Sequence, residues 1–200
     1  MTWWLRTHRV FWLAAACVIG SLASSLLGTA SFLFPSLEGG SPFGSVPLFA
    51  VLPLAISITL STFLAEADQP IYRSVARARL RYDWTLSAAA VAVTAVVSLP
   101  LLALTLHGPV ETVRNLIGFV GLQWLLAPLL SYRYQAAAPV LYVFISAVFG
   151  RAAGAQGTVG AWAWPLAPSS EASFWILPSL LGVVGSAVAL TRGPAALRSA

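Results

Sequence analysis

The sequence predicts an all-α polytopic membrane protein: a six-helix transmembrane bundle with both ends in the cytoplasm, plus an amphipathic N-terminal helix and an amphipathic cytoplasmic helix. Three observations predict it. First, hydrophobic residues make up 58% of the 200-residue chain, charged residues only 8%, and mean hydropathy is +0.84. A soluble domain carries roughly a quarter of its residues as charges, so the bilayer is the solvent this composition suits. Second, the apolar runs are long and continuous, without the alternation over about ten residues that marks a barrel strand. Helices close their own backbone hydrogen bonds in lipid and are the default spanning form. Third, the eleven arginines (lysine is absent) segregate along the chain.

Six segments approach the roughly 20 residues a span requires: 10–34, 46–64, 84–106, 115–130, 136–150 and 174–190. The fourth and fifth are short and separated only by 131–135, which suits either a tight helical hairpin or one long broken element. With the N-terminus inside, Arg6, Arg9, Arg73, Arg77, Arg79, Arg81, Arg133, Arg192 and Arg198 are cytoplasmic, and only Arg114 and Arg151 fall outside. Cytoplasmic loops hold such an excess. The acids divide evenly, Glu66, Asp68 and Asp83 inside and Glu38, Glu111 and Glu171 outside; acids contribute little to orientation. The expected location is the bacterial plasma membrane.

Taken in order, residues 1–10 hold Trp3, Trp4, Arg6 and Arg9 and fit an interfacial segment with rings at headgroup depth. A basic start followed by an apolar run imitates a secretion signal, but a run reaching Phe34 is too long for a signal core. Within the first span Ala16, Gly20, Ser24 and Gly28 recur every four residues, a small-residue stripe that permits close helix approach. Ala88, Ala92 and Ala95 in the third span, and Gly182, Gly185 and Ala189 in the sixth, are similar. Ordinary bundle packing and a dimer seam both use such stripes.

Between the second and third spans, Asp68 is an N-cap residue and Pro70 suits a first turn. Ile71, Val75, Ala78 and Tyr82 then fall within a sector of about 60° at 100° per residue, with Arg73, Arg77 and Arg81 on an adjoining face. Glu66 and Asp68 precede the helix where its dipole favours negative charge. The spacing predicts an amphipathic helix over 68–82 along the inner membrane surface. It suits a connector snorkelling its arginines to anionic lipid, or a lever seated in a groove of a cytoplasmic protein.

Several functions are disfavoured. The proposed spans lack Asp, Glu, His and Arg, whereas proton- or voltage-driven machinery needs ionisable groups within the membrane. His8 and His107 lie at opposite faces, the span serines have no nearby base, and Cys17 is the single cysteine. Neither a catalytic set nor a metal site is predicted, and no cofactor. Gln123, Thr59, Thr62, Thr94 and Ser146 are expected to make interhelical hydrogen bonds. The pI of about 10.1 follows from the arginines at the membrane face, without the basic-aromatic interleaving of a nucleic-acid binder.

Six spans, an amphipathic N-terminal segment over 1–10, the helix over 68–82 and an apolar, Gly- and Pro-broken stretch over 151–173 together give a recognisable architecture. That stretch contains Ala161-Trp162-Ala163-Trp164-Pro165-Leu166. The chain resembles the ABC-2-type (type V, ABCG-like) permease subunits of ABC transporters. The resemblance covers nearly all 200 residues and is one of architecture. It implies that 68–82 is the coupling helix, and that 151–173 is the re-entrant external element. No G-x-x-x-x-G-K-[ST] occurs, so the resemblance implies a separate ATP-binding subunit docking on Glu66, Asp68, Arg73, Arg77 and Arg81. It also implies a second permease subunit, with Ala16, Gly20, Ser24 and Gly28 at the packing or dimer seam. The expected function is ATP-driven transport, with export of an amphiphile such as a lipid, peptide or antibiotic. The alternatives are a six-span substrate-capture subunit resembling those of energy-coupling-factor importers, using His107, Glu111, Arg114 and Glu171, or a membrane scaffold without transport activity.

Overall fold

A computed structural model of the chain describes residues 9–28, 30–35, 43–67, 76–104, 108–151, 158–168 and 170–191. It is mostly helical. The elements are α1 (Val10–Leu27), β1 (Ser31–Pro35), β2 (Phe43–Pro47), α2 (Leu48–Glu66), α3 (Ala76–Leu101), α4 (Pro109–Leu126), α5 (Ala137–Phe149) and α6 (Ser173–Thr191). Single 3₁₀ turns follow α3 (Leu102–Leu104), precede α5 (Tyr132–Tyr134) and precede α6 (Trp164–Leu166). The residues expected as an amphipathic N-terminal segment lie outside the described residues except Arg9 and Val10.

Among the described residues, four segments are long and apolar enough to cross a membrane: Val10–Leu27, Leu48–Glu66, Leu80–Leu104 and Ser173–Thr191. Only 22–44% of each apolar window is buried within the chain. Side chains such as Ile19, Val96, Ile176 and Val183, each at least 66% exposed, therefore need an apolar solvent. This is a membrane protein.

α4 is the opposite. Thirteen of its eighteen residues are buried, and it packs against the five other described α-helices. Its closest neighbour is α6. A Cβ on Gly121 would lie within 2.5 Å of Gly182 N, and one on Gly185 would overlap the Gly121 carbonyl. The two backbones touch there because neither glycine carries a side chain. At its start, Gly108 has φ 107° and precedes Pro109, the first helical residue, where the missing N–H is harmless. A Cβ on Gly108 would sit 2.7 Å from the Ser24 carbonyl oxygen of α1. The main core, Leu13, Cys17, Ile56, Leu60, Leu116 and Trp124 among others, thus surrounds α4.

The expected first span is too long. α1 stops at Leu27, and Ser31–Pro35 pairs antiparallel with Phe43–Pro47, from Ser31 opposite Pro47 to Pro35 opposite Phe43. Phe32, Leu33 and Phe34 prolong the apolar run, yet aromatic and branched residues also suit a strand. Pro47 ends that strand, so α2 begins at Leu48 instead of residue 46 and runs to Glu66. The expected fourth span also starts earlier, at Pro109 instead of residue 115. α5 and α6 match the expected 136–150 and 174–190 within one residue at each end.

The coupling helix needs the largest correction. Residues 68–75 lie outside the described residues. Ala76 to Tyr82 is no separate element: it forms the first two turns of α3, which continues without a break through Asp83 and Trp84 to Leu101. Asp83 does not end the helix because it is fully buried and accepts a hydrogen bond from the Tyr132 hydroxyl at 2.6 Å.

Candidate functional site

The described ends of the elements gather at two poles. At one, the hairpin pole, are Ala30, which accepts a hydrogen bond from Leu48 N at 3.0 Å, together with the hairpin, Gly108, Arg151 and Trp164. At the other, the basic pole, Arg9 pairs with Glu66 at 3.3 Å and the Tyr132–Tyr134 turn packs against α2 and Asp83.

The hairpin pole is held by two arginines. Arg114 is 0% exposed, and Asn115 beside it is also fully buried. Arg114 Nη2 donates to Ala167 O at 2.7 Å and Trp164 O at 2.8 Å, and Nη1 to Pro168 O at 3.3 Å. Its Nε and Nη2 also reach Asn115 Oδ1 at 3.2 and 3.1 Å. Asn115 Nδ2 in turn donates to Pro165 O at 3.1 Å and Phe49 O at 3.0 Å. The segment Trp164-Pro165-Leu166-Ala167-Pro168 is short of donors, because two of its residues lack an N–H. Buried carbonyls need partners, and a guanidinium fork with a neighbouring amide provides them. Trp164 is thereby seated over Gly118, with Tyr142 stacked at 5.6 Å and Phe119 at 5.2 Å. Arg151 donates to the Ser45 carbonyl and, at 2.9 Å, to its hydroxyl, fastening α5 to the hairpin.

Charged side chains are buried just outside the expected spans, Arg114 and Asp83 at 0% exposure and Glu111 at 9%. Of the polar groups expected to bridge helices, Gln123 does so, donating to Ser57 O at 2.9 Å. Thr59 and Thr62 instead bond the carbonyls of Ala55 and Ile58 in their own helix. The Thr94 and Ser146 hydroxyls are buried without a hydrogen-bond partner among the described residues.

The stripe expected at a packing or dimer seam is used inside the chain. A Cβ on Gly20 would lie 2.8 Å from Ile56 Cδ1, the Ser24 hydroxyl bonds that of Thr112, and Gly28 Cα sits against Gly108. Ala16 is half-buried. Of the expected docking residues, Asp68 and Arg73 lie outside the described residues, Arg77 lies in the first turn of α3, Arg81 is exposed, and Glu66 is paired with Arg9. Their placement groups Glu66 and the start of α3 at the basic pole; it does not bring them into one cluster.

Between α3 and α6, with α4 as its floor, runs an open groove of about 550 Å³. It extends along 84–91 of α3, 117–124 of α4 and 179–186 of α6. Each wall is about 10 Å long; the groove lies near the middle of α3 and α6 and in the C-terminal half of α4, with one end toward the basic pole. Trp84 and Trp124 line that end, and small residues (Ala88, Gly121, Gly182) leave the middle open. Its hydroxyls are largely satisfied from within. Ser87 accepts from Trp124 Nε1 at 3.1 Å and donates to Asp83 O at 2.9 Å, and Ser186 donates to Gly182 O at 2.7 Å. Such a surface can take up an apolar chain; it offers little to a sugar or an ion. Among the described residues no group of His, Cys, Asp and Glu is placed to hold a metal.

Comparison with protein families, with curated proteins and with solved structures yields no match for this chain.

Proposed function

We propose that the chain is the membrane-spanning permease subunit of an ATP-driven transporter in a bacterial plasma membrane. In this reading all six helices cross the bilayer with both ends inside, a separate ATP-binding subunit docks at the basic pole, and two permease subunits form the pathway. The cargo is an amphiphile moved outward. The observation that carries the reading is the continuity of α3. It starts in the arginine-rich stretch, at Arg77 and Arg81, and without interruption becomes one wall of the apolar groove. Its 26 residues make a rod of about 39 Å. A push on its basic end would be carried along the rod to the groove wall, and through Asp83 and Tyr132 to the turn between α4 and α5. α6, the opposite wall, is fixed to α4 by the glycine crossing, so relative movement of α3 would alter the groove. The α1 stripe is filled within the chain, and the second subunit would meet one of the exposed apolar faces.

The test is co-purification. Tagged chain taken from its native membrane in mild detergent is expected to carry vanadate-sensitive ATP hydrolysis. Arg77→Glu should remove that hydrolysis while the thermal unfolding of the chain itself is unchanged. A chain that purifies alone, without hydrolysis, and binds a water-soluble vitamin tightly would sink the reading.

A further inference from the structure

We infer that the α3/α4/α6 groove holds an acyl chain of an anionic phospholipid drawn from the leaflet at the basic pole, with Arg81 at its headgroup. This deepens the transport reading by naming the class of amphiphile and its port of loading, and it rests on that reading only for the direction of movement.

The geometry matches a lipid in depth, chemistry and charge. The walls run from Val91, Ile117 and Ser179 down to Trp84, Trp124 and Ser186. The long axis therefore follows the helices, as a lipid tail does, and opens sideways, where tails are. A tail needs no polar partner, and Ser87 and Ser186 already have theirs. Trp84, half-buried, stands at the end of the groove nearer the pole, where an amphipathic ring can meet a headgroup; Trp124 beside it is buried with its N–H on Ser87. Arg81 lies one turn before Trp84 on α3, is exposed, and has no ion pair among the described residues. A guanidinium at the mouth of an apolar groove complements a phosphate attached to a tail. By contrast, the two arginines at the hairpin pole, Arg114 and Arg151, are tied to backbone carbonyls and offer nothing comparable.

The experiment uses the full chain without any ATPase, in phosphatidylcholine vesicles carrying a trace of phosphatidylglycerol or phosphatidylcholine with a photoactivatable acyl chain. Cross-linked peptides should concentrate on 84–91 and 179–186. Phosphatidylglycerol should label there about fivefold more than phosphatidylcholine, the discrimination one arginine supplies near a membrane surface. Ala88→Leu and, separately, Ser179→Leu should reduce that labelling several-fold by filling the groove. Arg81→Gln should equalise the two lipids while leaving the labelled positions unchanged. Labelling spread evenly over the exposed faces of α1 and α5, or indifferent to both filling variants, would overturn the inference. So would equal labelling by the two lipids in the parent chain, or cross-links from a second copy of the chain in place of lipid. Because no nucleotide is involved, loss of lipid specificity here and loss of hydrolysis in the docking test are separate results.

Discussion

The two poles of this molecule handle positive charge in opposite ways. At the hairpin pole, Arg114 is sealed in the interior and directs its fork at three carbonyls of one Pro-rich segment, while Arg151 reaches back to Ser45. At the basic pole, Arg81 and Arg133 are exposed, and Arg9 makes a pair that is itself half in solvent. The same residue type is a structural clamp at one end and a presented charge at the other. The difference lies in what surrounds it: irregular, donor-poor backbone at the first pole, helix ends at the second.

That contrast can be broken most sharply at Arg114. Arg114→Met should cost about 3–5 kcal/mol, because Trp164 O and Ala167 O lose their buried donor. Arg114→Lys should recover less than half of the loss, since an ammonium cannot span the same acceptors. Denaturant unfolding in detergent measures both. At the basic pole a sealed polar contact should behave in an intermediate way. Tyr132→Phe removes the 2.6 Å donor to buried Asp83 and should cost about 1.5–3 kcal/mol in the same assay. Arg9→Gln should be the smallest. The Arg9–Glu66 side chains are 55% and 43% exposed, so the loss should stay below about 0.5 kcal/mol and shrink further with added salt. An Arg9 effect as large as that of Arg114 would erase the distinction between the poles.

How far the sequence carried can be read from particular elements. α2, α5 and α6 were legible because each is one uniform apolar run. The start of α4 was not, because Glu111 and Arg114 lower its hydropathy and read as an external loop. Gly108-Pro109 followed by Glu111 in the first turn was the available signature of a helix start. The hairpin was hidden because Phe32, Leu33 and Phe34 extend the apolar run of α1, and composition alone does not separate strand from helix over five residues. The Arg114 clamp lay beyond local reading: its acceptors stand 50 to 54 residues away, and only the fold brings them together. The groove is likewise a product of three distant segments; Ala88 and Gly182 were visible in small-residue stripes, but Gly121 was not. From Ala76 on the arginine-rich stretch is helical, and it is fused to the following span through buried Asp83.

The account turns on α3 acting as a rigid rod that moves against α6, and spin-label distances across the groove mouth test this directly. Thr85 on α3 and Leu190 on α6 are exposed, and the native Cys17 is fully buried, so a Thr85→Cys/Leu190→Cys pair carries the labels. In the complex purified from the native membrane, trapping ATP with vanadate should shift the 85–190 distance distribution. A Leu22→Cys/Ile58→Cys pair between α1 and α2 should stay fixed. An unchanged 85–190 distance in a complex that hydrolyses ATP would contradict the account.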